Sequence, residues 1–273
     1  MKQNRDTISG TADINGAQLY YEMRGTGHPL LLLHAGVADS RMWDDQFDVF
    51  ADSFRVIRFD FRGFGRSNMP SGKFANFEDV RALLDFLKIK TATLLGISFG
   101  GMVALDFALA YPNYTSALIL GAPSVSGTEP SERIRQFWEA EELAFDRGDI
   151  EWATELNLRL WVDGPQRSRD EVNPEVRERV RVMQTAVFMK EIPDDIEEID
   201  LDPPAAERLD ELNIPVLVMI GDLDLEEKHA LADRLGRDIP DCRKIVIPGA
   251  AHMLNMEKPE LFNQGALKFM STL

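Results

Sequence analysis

The stretch Ala92-Thr93-Leu94-Leu95-Gly96-Ile97-Ser98-Phe99-Gly100-Gly101 decides the fold. Its first half is a short apolar run that predicts a buried strand, and the residues from Met102 to Ala110 have the apolar spacing of a helix. Ser98 therefore stands between a strand and a helix, with glycines two positions before and two positions after it. A serine in so sharp a turn needs small neighbours at these positions. The stretch predicts a strand-turn-helix elbow that exposes the Ser98 hydroxyl.

Outward from this elbow, short apolar strands alternate with segments of helical length. The dipeptide Asn15-Gly16 suits a tight hairpin between two strands at the start of the chain. Further buried strands are predicted at residues 30–33, 55–59, 92–96, 117–120, 216–220 and 244–247, and helices at residues 42–50, 77–87, 102–110 and 259–270. The alternation predicts an α/β protein with a doubly wound, largely parallel sheet.

The alternation stops after Pro123. Residues 131–191 are rich in helix formers and carry bulky aromatic side chains, which predicts a helical insertion. The acidic stretch Glu191 to Asp202 precedes Pro203-Pro204 and predicts a solvated linker back to the sheet. We therefore divide the chain into a core domain, residues 1–123 and 203–273, and a helical cap segment, residues 124–202.

Composition narrows the classes of partner. The 273 residues carry a formal net charge of −16, so we expect neither nucleic acid nor an anionic membrane surface as a partner. Cys242 is the single cysteine, which excludes an intramolecular disulfide and metal sites built on paired cysteines.

Residues 1–6 lack the apolar stretch of a signal peptide, and no apolar run approaches the length of a bilayer span. Together these two features predict a cytoplasmic protein.

A serine hydroxyl becomes a good nucleophile when a base takes its proton, and four histidines are available. His252 follows a small-residue loop after an apolar strand, after Ser98 and an acid in chain order, and is the predicted base. His34 ends a strand near the elbow, where a structural hydrogen bond is the favoured interpretation over a catalytic base. His28 and His229 have the pattern of surface residues.

The imidazole needs a carboxylate on its other nitrogen, and the loop Gly221-Asp222-Leu223-Asp224 offers two. Asp224 lies deeper in the loop and is the predicted partner, while Asp222 is expected to cap backbone groups. For the developing oxyanion, the predicted donors are the backbone N–H groups of Phe99 and of Gly36. The alternative for Gly36 is that it only relieves a tight turn.

Taken together, these residues resemble the α/β-hydrolase superfamily, and within it the cap-bearing carboxylesterases and 3-oxoadipate enol-lactonase-like enzymes. The resemblance rests on segments 31–34, 41–43, 58–67, 96–100, 221–224 and 249–259, and it spans nearly the whole chain. It implies an eight-stranded, mostly parallel sheet with flanking helices and a helical cap. It also implies that Ser98 is the nucleophile, Asp224 the acid, His252 the base, and Gly36 and Phe99 the oxyanion donors.

The resemblance also implies a role for two charged residues and disfavours two other activities of the superfamily. Asp60 and Arg62 belong to a family motif whose role is structural, so we assign them to loop architecture. Haloalkane dehalogenases and epoxide hydrolases carry aspartate where this chain has Ser98, which disfavours those activities.

The expected activity is hydrolysis of carboxylic esters of small to medium size through an acyl-enzyme, with no metal or organic cofactor, by a monomer or homodimer. One alternative is a lactonase, enol-lactonase or C–C bond hydrolase that uses the same triad. An anionic substrate would then require arginines that face the pocket, with Arg133, Arg135 and Arg159 as candidates. A second alternative is a ligand receptor that reuses the fold.

Five aromatic residues of the cap segment suggest an apolar wall for the substrate cavity. The competing interpretation for each one is ordinary packing inside the cap. They are Phe137, Trp138, Trp152, Trp161 and Phe188.

Overall fold

An eight-stranded sheet forms the centre of the computed structural model, which describes residues 6–273. The strands in chain order are β1 Ile8–Ile14, β2 Ala17–Arg24, β3 Pro29–Leu33, β4 Arg55–Phe59, β5 Gly72–Phe74, β6 Ala92–Ile97, β7 Thr115–Gly121, β8 Ile196–Glu198, β9 Val216–Gly221 and β10 Cys242–Ile247. The main sheet has the order β1-β2-β4-β3-β6-β7-β9-β10. Strand β2 pairs antiparallel with β1 and β4, and the other neighbours are parallel. The predicted α/β fold with an eight-stranded, mostly parallel sheet is confirmed.

Local sequence chemistry explains the strands. Asn15 and Gly16 both have positive φ values, +47° and +84°, as a tight hairpin turn between β1 and β2 requires. The side chains of β6 are buried on both faces, which accounts for its continuous apolar run. The four leucines of β3, Leu30–Leu33, are likewise fully buried.

The order of the strands places the elbow at the switch point of the sheet. From β3 the chain moves to β4 on one side, and β6 then lies on the other side of β3. In open parallel sheets, the crevice beyond the carboxyl ends of the strands at such a reversal is where ligands bind. The loop after β3 and the turn after β6 therefore meet at the middle of one sheet edge.

Helices cover both faces of the sheet and fill the cap segment. They are α1 Asp44–Ala51, α2 Asn76–Phe86, α3 Phe99–Ala110, α4 Glu132–Asp146, α5 Ile150–Asn157, α6 Pro174–Phe188, α7 Glu226–Asp238, α8 Leu254–Glu257 and α9 Pro259–Met270. The four predicted helices of the core are present. Helices α7 and α8 were not predicted.

An ion-pair network holds the cap segment together. Glu155 on α5 accepts hydrogen bonds from Arg159, Arg177 and Arg181, and Arg177 also pairs with Asp163 at 2.9 Å. Burial alone would raise the pKa of Glu155, but these arginines outweigh it and lower the pKa to about 2. The segment is helical as predicted, and its division from the core at residues 124–202 stays a prediction.

The linker from Glu191 to Asp202 is only partly the solvated connection that we predicted. Its central residues form β8, which pairs in parallel with β5 outside the main sheet. Glu198 also accepts a hydrogen bond from the Asn76 amide at 2.6 Å. The acidic composition concealed this strand, because backbone pairing with an exposed partner needs no apolar side chains.

The described residues also bear on the predicted location. Within residues 6–273, no helix combines the length and the apolar character that crossing a bilayer demands. Residues 1–5, on which the prediction about a signal peptide partly rests, lie outside the described part of the chain. The cytoplasmic location stays a prediction.

A buried carboxyl group on α3 connects to the start of the cap segment and, through it, to the chain just after the end of that segment. Asp106 accepts a hydrogen bond from the Ser126 hydroxyl at 2.6 Å, and the oxygen of that hydroxyl accepts one from the Ala205 N–H at 2.9 Å. Burial raises the pKa of Asp106 to about 6, and the nearby carboxylates of Asp200 and Glu198 add to the rise. At neutral pH the folded protein therefore carries a poorly compensated buried charge.

Replacing Asp106 by asparagine is expected to stabilise the protein at pH 7.5 by roughly 1 to 2 kcal/mol. The folded pKa lies above the unfolded value, so this group costs stability as pH rises from about 4 to 6 and the cost persists above that range. The amide oxygen can still accept the Ser126 hydrogen bond. Urea unfolding at pH 7.5 and pH 4 measures the effect, and the gain should vanish at pH 4. A variant less stable than the parent at pH 7.5 would contradict this account.

Candidate active site

Ser98 occupies the strained elbow that the sequence predicts. It lies between β6 and α3 with φ +55° and ψ −113°, a backbone conformation that residues with a side chain rarely adopt. Its N–H donates to the Gly121 carbonyl at 2.9 Å, and its own carbonyl accepts from the Met102 and Ser124 N–H groups. These bonds to both sides of the turn hold the strained residue in place.

The glycines around Ser98 are required by close backbone contacts. A Cβ atom on Gly96 would lie 2.2 Å from the Gly100 carbonyl oxygen, and one on Gly100 would lie 2.2 Å from the Leu33 carbonyl oxygen. Neither backbone neighbour can move without disturbing the sheet or the elbow. The steric reason for the glycine spacing is confirmed.

Asp224 and His252 form a buried pair on the loops after β9 and β10. His252 Nδ1 lies 3.0 Å from Asp224 Oδ2, and Asp224 Oδ1 accepts the Leu225 N–H at 2.7 Å. Burial alone would raise the pKa of Asp224, but the attraction and hydrogen bond of His252, followed by the Leu225 N–H, hold it below the usual range. The ionised carboxylate fixes the proton of the imidazole on Nδ1 and leaves Nε2 as an acceptor. Asp222 instead accepts the Gly249 N–H at 2.6 Å, as predicted.

The second ring nitrogen of His252, Nε2, takes no part in the contact with Asp224. It is buried and has no hydrogen-bond partner within the described residues. Buried polar atoms are nearly always bonded, so an exception needs an explanation. His252 and Ser98 line the same cavity.

The remaining histidines lie elsewhere. His34 uses both ring nitrogens in structure: Nδ1 donates to the Ala35 carbonyl at 2.8 Å and Nε2 accepts the Phe61 N–H at 3.0 Å. Burial lowers the pKa of His34, so this ring stays neutral. His28 is exposed and His229 half-buried, and neither lines the cavity. The structural interpretation of His34 is confirmed.

The loop that carries His252 is held from the cap side. Glu257 accepts the Ala251 N–H at 2.8 Å with one oxygen and pairs with Arg167 at 2.7 Å with the other. Arg167 also donates to the Asp163 and Val162 carbonyls at the end of a π-helical turn. No sequence pattern singled out this brace, because its partners are far apart in the chain.

Two charged residues that a scan for acids and bases would select are structural. Asp60 accepts the Ser40 and Arg66 N–H groups, both at 2.8 Å, and so fixes the loop after β4. Arg62 pairs with buried Asp79 through two hydrogen bonds of 2.5 and 2.9 Å. Neither residue lines the cavity with Ser98, and their assignment to loop architecture is confirmed.

The predicted oxyanion donors, Gly36 and Phe99, both line the cavity beside Ser98. Phe99 is the first residue of α3, where a backbone N–H has no acceptor within the helix. A Cβ atom on Gly36 would lie 3.6 Å from the Phe99 Cβ, an ordinary contact, and the φ of Gly36 lies outside the left-handed region. The turn alone therefore does not demand a glycine at position 36, contrary to the alternative that we considered.

The cavity has a volume of about 720 Å³ and lies between the sheet edge and the cap segment. Four of the five predicted aromatic residues line it: Phe137, Trp138, Trp161 and Phe188. Trp152 does not, because its ring is on the surface, 41% exposed, with the Arg159 guanidinium 4.7 Å above it. The apolar wall is confirmed except at this position.

Trp161 covers the candidate base. It lies in the π-helical turn Leu158–Asp163, and its ring centroid is 4.6 Å from that of His252. Phe137 packs edge-on against the same indole at 6.0 Å. This cover excludes water from one face of the imidazole and restricts its rotation. The prediction of an apolar wall included Trp161 but not its contact with the base.

The prediction that arginines of the cap segment face the cavity is wrong. Arg133, Arg135 and Arg159 do not line the cavity, and Arg159 pairs with Glu155 at 3.2 Å on the cap surface. The cations that do line it are Lys228 and Arg234, both on α7. The buried residues of α7 are Lys228, Ala232 and Leu235, so a lysine on the buried stripe of an amphipathic helix was the signal that we missed.

The geometry defines a class of protein. A serine elbow after a central strand, with an acid and a histidine after two later strands of an eight-stranded sheet, is the arrangement of an α/β hydrolase. Within residues 6–273, no group of three or more histidine, cysteine or acidic side chains could hold a metal ion.

Residues 30–264 match the alpha/beta hydrolase family, and the chain belongs to that family. It is 30% identical over 229 residues to 3-oxoadipate enol-lactonase 2 of Acinetobacter baylyi, covering 81% of this chain and 80% of that one. It is 27% identical to a pimeloyl-[acyl-carrier protein] methyl ester esterase of Pectobacterium atrosepticum, covering 93% and 98%. A thermophilic esterase of Thermogutta terrifontis superimposes with a TM-score of 0.78 at 27% identity, covering 97% and 98%. The protein is thus a hydrolase of the esterase and enol-lactonase group.

Proposed function

We propose that this hydrolase cleaves carboxylic esters of small to medium size through an acyl-enzyme on Ser98. One observation carries the proposal: within residues 6–273, His252 lines the Ser98 cavity with an Nε2 that has no hydrogen-bond partner, while the Asp224 carboxylate binds its Nδ1. This is the protonation pattern that a general base for a serine hydroxyl requires. The names of the esterase relatives support the same chemistry.

In the proposed reaction, the Ser98 Oγ attacks the ester carbonyl carbon while His252 Nε2 takes its proton. The oxyanion receives hydrogen bonds from the Phe99 and Gly36 N–H groups. The imidazolium, stabilised by Asp224, then protonates the leaving alcohol, and the acyl group stays on Ser98. A water molecule, deprotonated by the same imidazole, releases the acid and restores the serine.

A lactone is the second candidate substrate, because an enol-lactonase is among the relatives and a lactone is an internal ester. The same residues would act, and the alcohol would remain attached to the product. C–C bond hydrolysis and a role as a ligand receptor are the remaining alternatives.

A substrate panel tests the proposal. We expect saturable turnover of p-nitrophenyl esters with short and medium acyl chains, and slower or no cleavage of vinylogous diketones. Lactones in the same panel decide between the two candidate substrates. If no ester or lactone is hydrolysed while a diketone is cleaved, or if no member of the panel reacts, the proposed function is wrong.

A further inference from the structure

Lys228 is a buried cation in the wall of the cavity that the proposed mechanism does not use. It lies in the first turn of α7 and is 8% exposed. Its Nζ donates to the Ser124 hydroxyl at 2.8 Å and lies 5.8 Å from the Trp161 ring centroid. A protonated ammonium has three N–H donors. Across residues 6–273, the Ser124 hydroxyl is its one hydrogen-bond acceptor, and it forms no ion pair with a carboxylate.

The two carboxylates that attract Lys228 form their hydrogen bonds with other groups. Asp224 uses its oxygens for His252 and the Leu225 N–H. Glu227 accepts a hydrogen bond from the Ser131 hydroxyl at 2.8 Å. Burial lowers the pKa of Lys228 to about 8, although attraction to Asp224 and Glu227 opposes this. At pH 7 the ammonium is therefore mostly protonated, and two of its donors have no protein acceptor within residues 6–273.

The other two acidic side chains that line the cavity, Glu129 and Glu141, form no ion pair with Lys228 within residues 6–273. The Glu129 side chain is 93% exposed, so solvent screens it. Glu141 lies on the cap side, where burial raises its pKa and the Asn157 amide donates to it. The second cation, Arg234, is already paired with Asp238 at 3.2 Å and with the Ala206 carbonyl at 2.6 Å. Within residues 6–273, Lys228 is thus the buried cation of the cavity wall that has no carboxylate partner, whereas Arg234 is paired and 36% exposed.

We propose that Lys228, braced by Ser124, is a specificity-determining residue that binds a carboxylate of the substrate. The hydrolase would prefer esters that carry an ionised carboxylate besides the ester group that is cleaved. The inference rests on the proposed function, because Ser98 would attack that ester. A carboxylate in this water-poor site gains a charge-assisted hydrogen bond and relieves the unpaired ammonium.

Methyl esters give a matched test. Monomethyl esters of dicarboxylic acids from succinate to suberate are compared at pH 7 with methyl esters of monocarboxylic acids of equal chain length. We expect kcat/KM to be at least about tenfold higher for the acidic ester at the best chain length. The Lys228→Met variant, which keeps an unbranched side chain without charge, should lose most of this ratio. The control Arg234→Met removes a cavity cation that is already paired and should keep the ratio.

The ratio also has a predicted pH dependence. The charged groups that act on Lys228 are the carboxylates of Asp224 and Glu227, and taking the ratio of the two esters cancels changes in the shared chemical step. The preference should therefore decline as pH rises through about 8, where Lys228 loses its proton. A preference that persists unchanged to pH 9.5 would overturn the proposal.

A purely structural role for Lys228 gives a different result. If Lys228 only tethers Ser124, Lys228→Met lowers kcat/KM for both esters by the same factor, and the proposal is wrong. It is also wrong if the parent enzyme shows no preference while Ser98→Ala abolishes turnover, an outcome that leaves the proposed function intact. If neither ester reacts, isothermal titration calorimetry with the same monomethyl esters measures whether Lys228 contributes to their binding. Binding at least about fivefold weaker in Lys228→Met supports the proposal, and equal or absent binding rejects it.

Discussion

Replacing Ser98 by alanine is expected to lower the turnover of p-nitrophenyl acetate by at least about a thousandfold. The variant removes the oxygen that forms the acyl-enzyme, while the remaining groups only orient substrate and stabilise charge. Alanine keeps the Cβ that already tolerates φ +55° at this position, so the elbow should persist. Steady-state kinetics measure the effect, and circular dichroism checks that the variant folds.

The cavity offers a matched control for this variant. Ser131 lines the same cavity but uses its hydroxyl to cap α4 and to bind Glu227. Ser131→Ala should retain turnover within about fivefold of the parent, at some cost in stability. If Ser98→Ala kept more than a tenth of the parental kcat, Ser98 would not be the nucleophile.

Asp224→Asn is the other variant with a large expected loss, about ten-thousandfold in kcat by analogy with other serine triads. One oxygen of Asp224 accepts the Leu225 N–H and the other accepts His252 Nδ1–H. An asparagine has a single side-chain oxygen. The Leu225 N–H can only donate a hydrogen bond, so that oxygen must turn toward it. The amide NH₂ would then face His252 Nδ1 and force the ring proton onto Nε2, where it blocks the base.

Asp222→Asn is the natural comparison, since it makes the same change two residues away in the same loop. Within the described part of the chain, the Asp222 carboxylate accepts one hydrogen bond, from the Gly249 N–H, and an amide oxygen can accept the same bond. Its kcat, measured with the same ester from pH 6 to 9, should stay within about threefold of the parent. Loss of less than about tenfold in Asp224→Asn would show that the carboxylate does not orient the base.

The sequence predicted the elbow because its requirements are local. A strained serine, two glycines and a helix start lie within a few residues, and each has a steric reason that needs no knowledge of distant contacts. His252 and Asp224 were predictable for a related reason, since both follow apolar strands whose carboxyl ends share one edge of the sheet.

The cap wall and the charged lining could not be predicted in the same way. Trp152 and Trp161 are both aromatic residues of the cap segment, but tertiary packing puts one on the surface and the other against His252. The pocket arginines were assigned by residue type alone, whereas Lys228 occupies the cavity because of its position on α7. Side-chain direction on an amphipathic helix depends on the neighbours that it packs against.

Labelling with a fluorophosphonate tests the central claim most directly, because this probe reacts with a serine only when a base activates it. Intact-mass spectrometry of the parent protein should show a single adduct, and peptide mapping should place it on Ser98. Ser98→Ala should remain unlabelled, and Asp224→Asn should react far more slowly. An unlabelled parent protein, or an adduct on any other residue, would contradict the assignment of Ser98 as the activated nucleophile.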